Sequence, residues 1–547
     1  MKKNFITILL CWFSISALAQ TIDTATYSVA MRDGIHLATG VKSSSLSKKY
    51  PVIFIRTPYG FEYQLKVRSH FVDRGYVVVA QDCRGTGRSE GTFEPWLHEK
   101  QDGFDAIDWI SKQPWCNGNI GMIGASYEGQ VQWLASVGAH PALKCIIPQV
   151  SGTDAFLDVP YDHGIMKMSL VEWAFRSTYP EKKMPDMELD SLYKLPLSKF
   201  DKALYGVDVP IWDKWLEMEQ RQHWTSASFL SELHKVKIPV LYVSGSWDVE
   251  ALSTQTNWLT MASLKRKNQF LLFGPWEHQS FVTPVSSKVG DIDYDSNAKI
   301  DFEALWLKWF DRWLKGIENG LEKEARVKMF VTGANQWKES SSYPDADYDS
   351  EKLFLTHIQG QHKLTASKFP TSMISTYFNN PGKARLNLDP EFSETSLYKP
   401  DSSGSELIFR SEVFNQAYTV SGPTKLHLEF STDTPDVDFF SFLAEEDANG
   451  TLRALTHPGK LRARYWKNWD RGEILVKDKK YSVDIDLFPM IHQMKRASKL
   501  VLVIRSDWFP RYVRNLNTGE SQVNATQLKI SHITIYPESN LSFYSPR

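Results

Sequence analysis

For a side chain to attack a carbonyl, a hydroxyl must be lifted clear of the backbone and a base must take its proton. An acid must hold that base, and hydrogen-bond donors must meet the developing oxyanion. The sequence holds a candidate for each part. The hydroxyl is Ser126, within Ile123-Gly124-Ala125-Ser126-Tyr127-Glu128-Gly129, placed between an apolar strand-like run and a helical stretch. A serine on a sharp strand-to-helix turn sits in strained backbone space, so its neighbours must be small. Gly124 and Ala125 meet that need. The pattern departs from plain G-x-S-x-G, because Glu128 stands two places after the serine and the glycine falls at Gly129. Alone, such a pattern is also what an ordinary tight turn looks like.

The acid and base candidates supply the context. The strand-like run Leu241 to Ser244 leads into Gly245-Ser246-Trp247-Asp248, and Phe270 to Phe273 leads into Gly274-Pro275-Trp276-Glu277-His278. A lone Asp after a strand is usually a turn or cap residue, and a lone His is usually structural. Here Ser126, Asp248 and His278 follow in the chain order of α/β-hydrolases, each just past a strand, at the edge where open α/β sheets bind ligands. Together they predict a Ser–His–Asp triad. The backbone N–H of Tyr127, the residue after the nucleophile, is the built-in oxyanion donor. A second donor should come from the loop Ile55-Arg56-Thr57-Pro58-Tyr59-Gly60, where Tyr59 offers a phenol; the same residue reads equally well as a packed turn aromatic.

The elements that must hold these residues are also legible. From about Tyr50, Pro51–Arg56, Tyr76–Ala80, Ile120–Ile123, Cys145–Ile147, Ile238–Val243 and Phe270–Phe273 read as strands apolar on both faces. Continuous apolar runs point to a parallel sheet covered by helices, and Asp102–Lys112 and Gln130–Val137 have helical periodicity. This is a doubly wound α/β pattern, assigned to residues 22–151 and 236–345. Between about Gly152 and Lys235 strands vanish and residues recur at helical spacing, which predicts a helical cap over 152–235. After about Pro344 strand-like segments such as Thr424–Phe430 and Leu500–Ile504 are punctuated by Gly, Pro, Asn and Asp. That predicts an all-β jelly roll over 346–547.

Composition bounds the function. The 547 residues are too many for one ordinary core, and 42% apolar with 23% charged residues belongs to a folded chain. The 63 basic and 64 acidic residues nearly cancel, so nothing argues for nucleic acid. Lys2 and Lys3 precede an apolar run from Phe5 to Leu18 that ends in Ala17-Leu18-Ala19, the layout of a cleavable secretory signal over residues 1–19. A secreted or periplasmic protein without a membrane span is expected. Cys83, Cys116 and Cys145 are too few and too scattered for a metal pattern or a disulfide framework, and read as buried small hydrophobes.

At this point the residues resemble a known family. Arg56-Thr57-Pro58-Tyr59, the run Gln81 to Gly91 (QDCRGTGRSEG), the Gly124 to Gly129 turn and Gly274 to His278 are similar to the cocaine-esterase / X-Pro dipeptidyl-peptidase family of serine hydrolases. So are Ser431 to Phe439, Leu461 to Tyr465 and Ser506 to Gly519 in the β region. The resemblance implies a hydrolase core, cap and jelly roll around one active site. It also implies the triad named above, with Tyr59 sharing the oxyanion hole with the Tyr127 N–H, and it calls for no metal or organic cofactor. In parts, at His140 to Lys144 and Trp247 to Glu250, the chain looks like the α-amino-acid ester hydrolases. Those bind a substrate ammonium with three carboxylates: Glu250 matches one, Ala251 replaces the second, and Asp158 or Asp162 is offered for the third. If the loop after Asp248 is extended, Glu250 points the same way as Asp248 and borders the acyl pocket, where its partner is either an arginine of the protein or a substrate ammonium. The substrate is then a small ester, amide or short peptide, with an X-Pro dipeptidyl-peptidase as one alternative. A catalytically silent secreted protein that binds carbohydrate or a partner is the rival of another class, and assembly into homo-oligomers stays open.

Overall fold

The computed structural model describes residues 22–547 apart from 187, 282–284, 370, 371, 388, 390, 391 and 393. The segment assigned to the secretory signal lies outside the described residues.

A ten-stranded sheet forms the first layer. In chain order its first strands are β1 (Asp23–Ala30), β2 (His36–Ser43), β3 (Tyr50–Thr57), β4 (Val77–Asp82), β5 (Cys116–Ala125) and β6 (Leu143–Gln149). Beyond the small hairpin β7–β8 (Tyr161–Asp162, Ile165–Met166) come β9 (Val240–Trp247) and β10 (Gln269–Glu277). After a second hairpin, β11–β12 (Lys288–Val289, Ile292–Asp293), follow β13 (Val327–Val331) and β14 (Gln336–Ser340). The spatial order is β1-β2-β4-β3-β5-β6-β9-β10-β13-β14. From β4 to β13 neighbouring strands run parallel, and antiparallel pairs close both edges. The central strands β3, β4, β5 and β9 are buried along nearly their whole length, as their unbroken apolar runs require. The edge pair β1–β2 was not foreseen. β1 alternates polar and apolar residues, is covered on one side only, and so lacks the continuous run that betrays an inner strand.

Helices α1 (Phe61–Val67), α2 (Glu99–Ser111) and α3 (Tyr127–Ser136) follow β3, β4 and β5. Cap helices α4 (Leu170–Thr178), α5 (Phe200–Tyr205) and α6 (Pro210–Glu217) lie between β8 and β9, and α7 (Ala251–Ser263) and α8 (Phe302–Lys315) follow β9 and β12. The cap is helical, with short 3₁₀ turns, but it is not free of strands. The β7–β8 hairpin turns through His163 and Gly164, both at positive φ (50° and 81°), the two-residue geometry that matches strand twist. Two strands of two residues each carry no periodicity for a sequence to show.

Among the described residues, fourteen strands from Tyr348 onward make the jelly roll. The long strand Tyr418–Thr432 pairs with Tyr481–Leu487 and with Asn540–Pro546, joining the layers. Tyr481, Val483, Ile485 and Leu487 point inward while Ser482, Asp484 and Asp486 face out, the period-two pattern of a half-covered strand. One apolar cluster runs without a break from the sheet (Met122) through the cap (Trp212) into the roll (Phe442, Trp508), so the three parts share a core around the β5 and β9 ends. Cys83, Cys116 and Cys145 are buried and unbridged. Among the described residues no helix is long and apolar enough to cross a membrane.

Candidate active site

Ser126 lies between the end of β5 and the start of α3 with φ 59° and ψ −123°, a conformation costly for any residue with a Cβ. The two glycines of its motif explain the spacing. A Cβ on Gly124 would stand 2.4 Å from the Glu128 Cβ, and one on Gly129 would stand 2.7 Å from the Gln149 carbonyl oxygen. Gly129 is therefore where α3 passes closest to β6, and the residue in the usual glycine place is free to be Glu128. The Ser126 N–H donates to the Gln149 carbonyl at 3.0 Å, which ties the turn to the next strand.

The structure brings the three predicted residues into one line. His278 Nε2 is 2.9 Å from Ser126 Oγ, and its Nδ1 is 2.7 Å from Asp248 Oδ1. Asp248 is fully buried, so its carboxylate must be satisfied by the protein. Ser244 donates its hydroxyl to Oδ2 at 2.6 Å, and the Glu250 N–H donates to Oδ1 at 3.0 Å. With Asp248 accepting from Nδ1–H, the imidazole keeps Nε2 free to accept the serine proton. Gly245 lets the ends of β9 and β10 meet, since a Cβ there would lie 2.2 Å from the Trp276 carbonyl oxygen.

Ser126 and His278 open into a cavity of about 870 Å³ between sheet, cap and roll. Tyr59 and Tyr127 also line it. As first residue of α3, Tyr127 has an N–H with no acceptor inside the helix. Its side chain is buried elsewhere, the phenol donating to Glu99 at 2.9 Å, and Glu99 is in turn gripped by buried Arg56. The Tyr59 ring is 49% exposed, yet burial of its phenol end raises that group above the ordinary phenol range. The Tyr59 oxygen accepts from Trp173 Nε1 of α4 at 3.2 Å, which leaves its own O–H to donate. Trp173 stacks on Trp96 and on the Tyr127 ring, with centroids 5.9 and 6.1 Å apart, so one wall of the cavity is a flat aromatic face.

Glu250 borders the cavity, but by a different route and with a different partner from those expected. The loop after Asp248 is a tight turn rather than extended, with the Ala251 N–H donating to the Asp248 carbonyl, and Glu250 is the residue before α7. Its Oε1 accepts from Lys167 Nζ at 3.2 Å, so the internal cation is a lysine and not an arginine, while Oε2 has no hydrogen-bond partner. Lys167 is 1% exposed and also contacts Asp158 Oδ1 at 2.9 Å and Asp162 Oδ2 at 3.7 Å. Both aspartates offered by the sequence thus belong to the same cluster. Lys460 and Tyr512 of the roll complete it by donating to Asp162 at 2.6 and 2.7 Å. Burial, and then neighbouring Asp158, push the Glu250 carboxyl far above the carboxylate range. Burial opposes charge on Asp158 and Asp162 too, but Lys167, and Lys460 for Asp162, hold both below it. Three carboxylates, of Asp158, Asp162 and Glu250, are thus packed with the ammoniums of Lys167 and Lys460.

Sequence reasoning missed several residues that hold the site. Ser244 was read only as a strand end. His457 of the roll has Nε2 3.0 Å from the carbonyl oxygen of Trp247, directly before Asp248, and nothing local in the sequence marks that contact. Lys167 could have been sought as a lone basic residue in an apolar stretch; its partners could not.

Residues 33–280 match the family described as X-Pro dipeptidyl-peptidase (S15 family), and residues 319–541 match the X-Pro dipeptidyl-peptidase C-terminal non-catalytic domain. The second match begins ahead of β13 and β14, which pair into the first sheet. The chain is 26% identical over 542 residues to the cocaine esterase of Rhodococcus sp. (strain MB1 Bresler), covering 90% of this chain and 92% of that one. Its fold is similar to an aminopeptidase from a marine sediment Thaumarchaeota archaeon (TM-score 0.84, 19% identity, all of both chains). It is similar as well to an α-amino acid ester hydrolase (TM-score 0.82, 21% identity, 100% of this chain and 98% of that one). With its α/β core, cap and β-rich C-terminal domain, the chain belongs to the S15 family of serine hydrolases, alongside the cocaine esterases and X-Pro dipeptidyl-peptidases.

Proposed function

We propose that the protein is an exported hydrolase that cleaves esters or amides of small, uncharged acyl groups through an acyl-enzyme. The observation that carries this is the His278 ring set between Ser126 Oγ and Asp248, at 2.9 and 2.7 Å. The substrate carbonyl approaches Ser126, and His278, oriented by Asp248, takes the hydroxyl proton. The Tyr59 phenol and the Tyr127 N–H meet the oxyanion of the tetrahedral intermediate. The leaving alcohol or amine departs with the proton from His278, and water then attacks the acyl-enzyme by the reverse path. The stacked Trp96 and Trp173 favour an acyl group with a flat apolar face. Lys167, set among Asp158, Asp162 and Glu250, favours an acyl group without an ammonium, because the protein's own cation already takes that place. Export rests on Lys2, Lys3, the Phe5 to Leu18 run and Ala17-Leu18-Ala19.

The test is a turnover screen over p-nitrophenyl esters, cephalosporins and X-Pro anilides, run beside labelling by a fluorophosphonate. Wild-type protein should label, hydrolyse neutral esters best, and lose both properties in Ser126→Ala while keeping its fold. A Ser126→Ala protein that still labels would remove Ser126 from the mechanism. X-Pro anilides as the best substrates would replace the esterase reading by the peptidase one.

A further inference from the structure

Glu128, the residue that displaces the expected glycine, has no part in the triad, yet it is 5% exposed and lines the cavity beside Ser126. Burying a carboxylate is costly unless donors surround it. Here burial lifts it to about 7, against the opposing pull of the Thr57 hydroxyl and nearby Arg68.

Its contacts all lead one way. Oε1 accepts from Gln64 Nε2 at 2.6 Å, and the Thr57 hydroxyl and the N–H of Ala125, the residue before the nucleophile, lie near enough to draw the carboxyl down. Thr57 ends β3 and Gln64 lies in α1, so the carboxylate sits between the two ends of the loop that carries Tyr59 and is bonded to the second of them. Inside the loop, Thr57 Oγ1 accepts the Tyr59 N–H at 3.1 Å. The bonded link therefore runs from the nucleophile turn through Glu128 to Gln64 of α1, directly behind the Tyr59 loop, whose other end Thr57 fastens. Gly124 leaves the room in which this side chain turns back.

We propose that Glu128 is a positioning residue for the oxyanion hole, clamping the Tyr59 loop to the nucleophile turn so that the phenol and the Tyr127 N–H face the same oxygen. The role rests on the reading of Ser126 as nucleophile and Tyr59 as donor. A carboxylate that only fills space would affect folding, or substrate binding in general. A clamp acts through Tyr59, and its loss should cost nothing further once that phenol is gone.

The experiment is a double-mutant cycle in the full-length enzyme on a p-nitrophenyl ester, with Glu128→Ala, Tyr59→Phe and the pair together. Glu128→Ala should lower kcat about 10- to 100-fold, part of the roughly 10²–10³-fold assigned to one oxyanion donor, with KM nearly unchanged. The double variant should match Tyr59→Phe to within about threefold. Glu128→Gln, which keeps an acceptor for Gln64, should recover most of the kcat, and it carries the cycle if the Ala protein does not fold. Losses that multiply, a change in KM alone, or a Tyr59→Phe enzyme with wild-type kcat would each overturn the proposal. Fluorophosphonate labelling separates the two levels. If wild-type protein fails to label at Ser126, the hydrolase reading falls; if every variant labels fully and the losses multiply, only the clamp does.

Discussion

Tyr59 and Lys167 are where single side chains decide most. The Tyr59 phenol accepts from Trp173 and has one proton left to give, so Tyr59→Phe deletes a donor and little else. It should cut kcat by roughly 10²–10³, about 2.7–4 kcal/mol, with KM nearly constant. Steady-state kinetics on a neutral ester checks this, and an unchanged kcat would reduce Tyr59 to a packing residue. Lys167 is the cation of a buried cluster, and Lys167→Met would leave the Asp158 charge uncompensated. Removing one partner of a buried pair costs roughly 3–5 kcal/mol, so a markedly lower Tm is expected in thermal unfolding at pH 7. A Tm within a degree or so of wild type would mean that Glu250 and Asp158 settle their charge without it. Ser126, Asp248, His278 and Tyr59 were legible because each follows a strand by a short turn, so sequence order alone sets them on one sheet edge. The partner of Glu250 was not, because Lys167 reaches it from a hairpin that shows no periodicity.

At the scale of elements, the β5–α3 turn is fixed by contacts its two glycines permit. Gly129→Ala would drive a Cβ toward the Gln149 carbonyl and push α3 away from β6, and with it the Tyr127 N–H. Overpacking of this kind costs roughly 1–3 kcal/mol, so both Tm and kcat should fall, whereas displacement of the donor alone would spare Tm. Denaturant unfolding set beside kinetics distinguishes the two, and a variant with wild-type values for both would show that the turn tolerates a methyl group. The inner strands could be read because burial on both faces leaves unbroken apolar runs in Val52–Ile55 and Val77–Ala80. β1 could not, since an edge strand covered on one face resembles any polar stretch, and β2, though buried, breaks its apolar run with Thr39, Gly40 and Lys42.

At the scale of the whole molecule, the roll braces the active site from behind. His457, Lys460 and Tyr512 all reach across to the hydrolase core and cap. Burial lowers His457 from 6.5 to about 4, so the folded protein holds this ring neutral where the unfolded chain protonates it. The folded-state value lies below the unfolded one, so the contribution is complete above about pH 6.5 and is lost as pH falls from there toward 4, up to roughly 3 kcal/mol. His457→Gln should flatten that limb of the stability–pH curve relative to wild type while keeping a donor for the Trp247 carbonyl. Parallel curves for the two proteins between pH 7 and 4 would show that His457 is not buried neutral.

The bond from His457 to the Trp247 carbonyl also sets an order of events. Synthesis runs from the N-terminus, so Ser126, Asp248 and His278 all exist before the imidazole that steadies the turn beneath Asp248. Lys460 and Tyr512, which answer the buried charge of Asp162, arrive later still. A partly made chain thus owns its reactive serine without the brace that aligns the acid behind it. On the proposed mechanism hydrolytic competence would come with the last domain, a delay that would separate making the nucleophile from arming it.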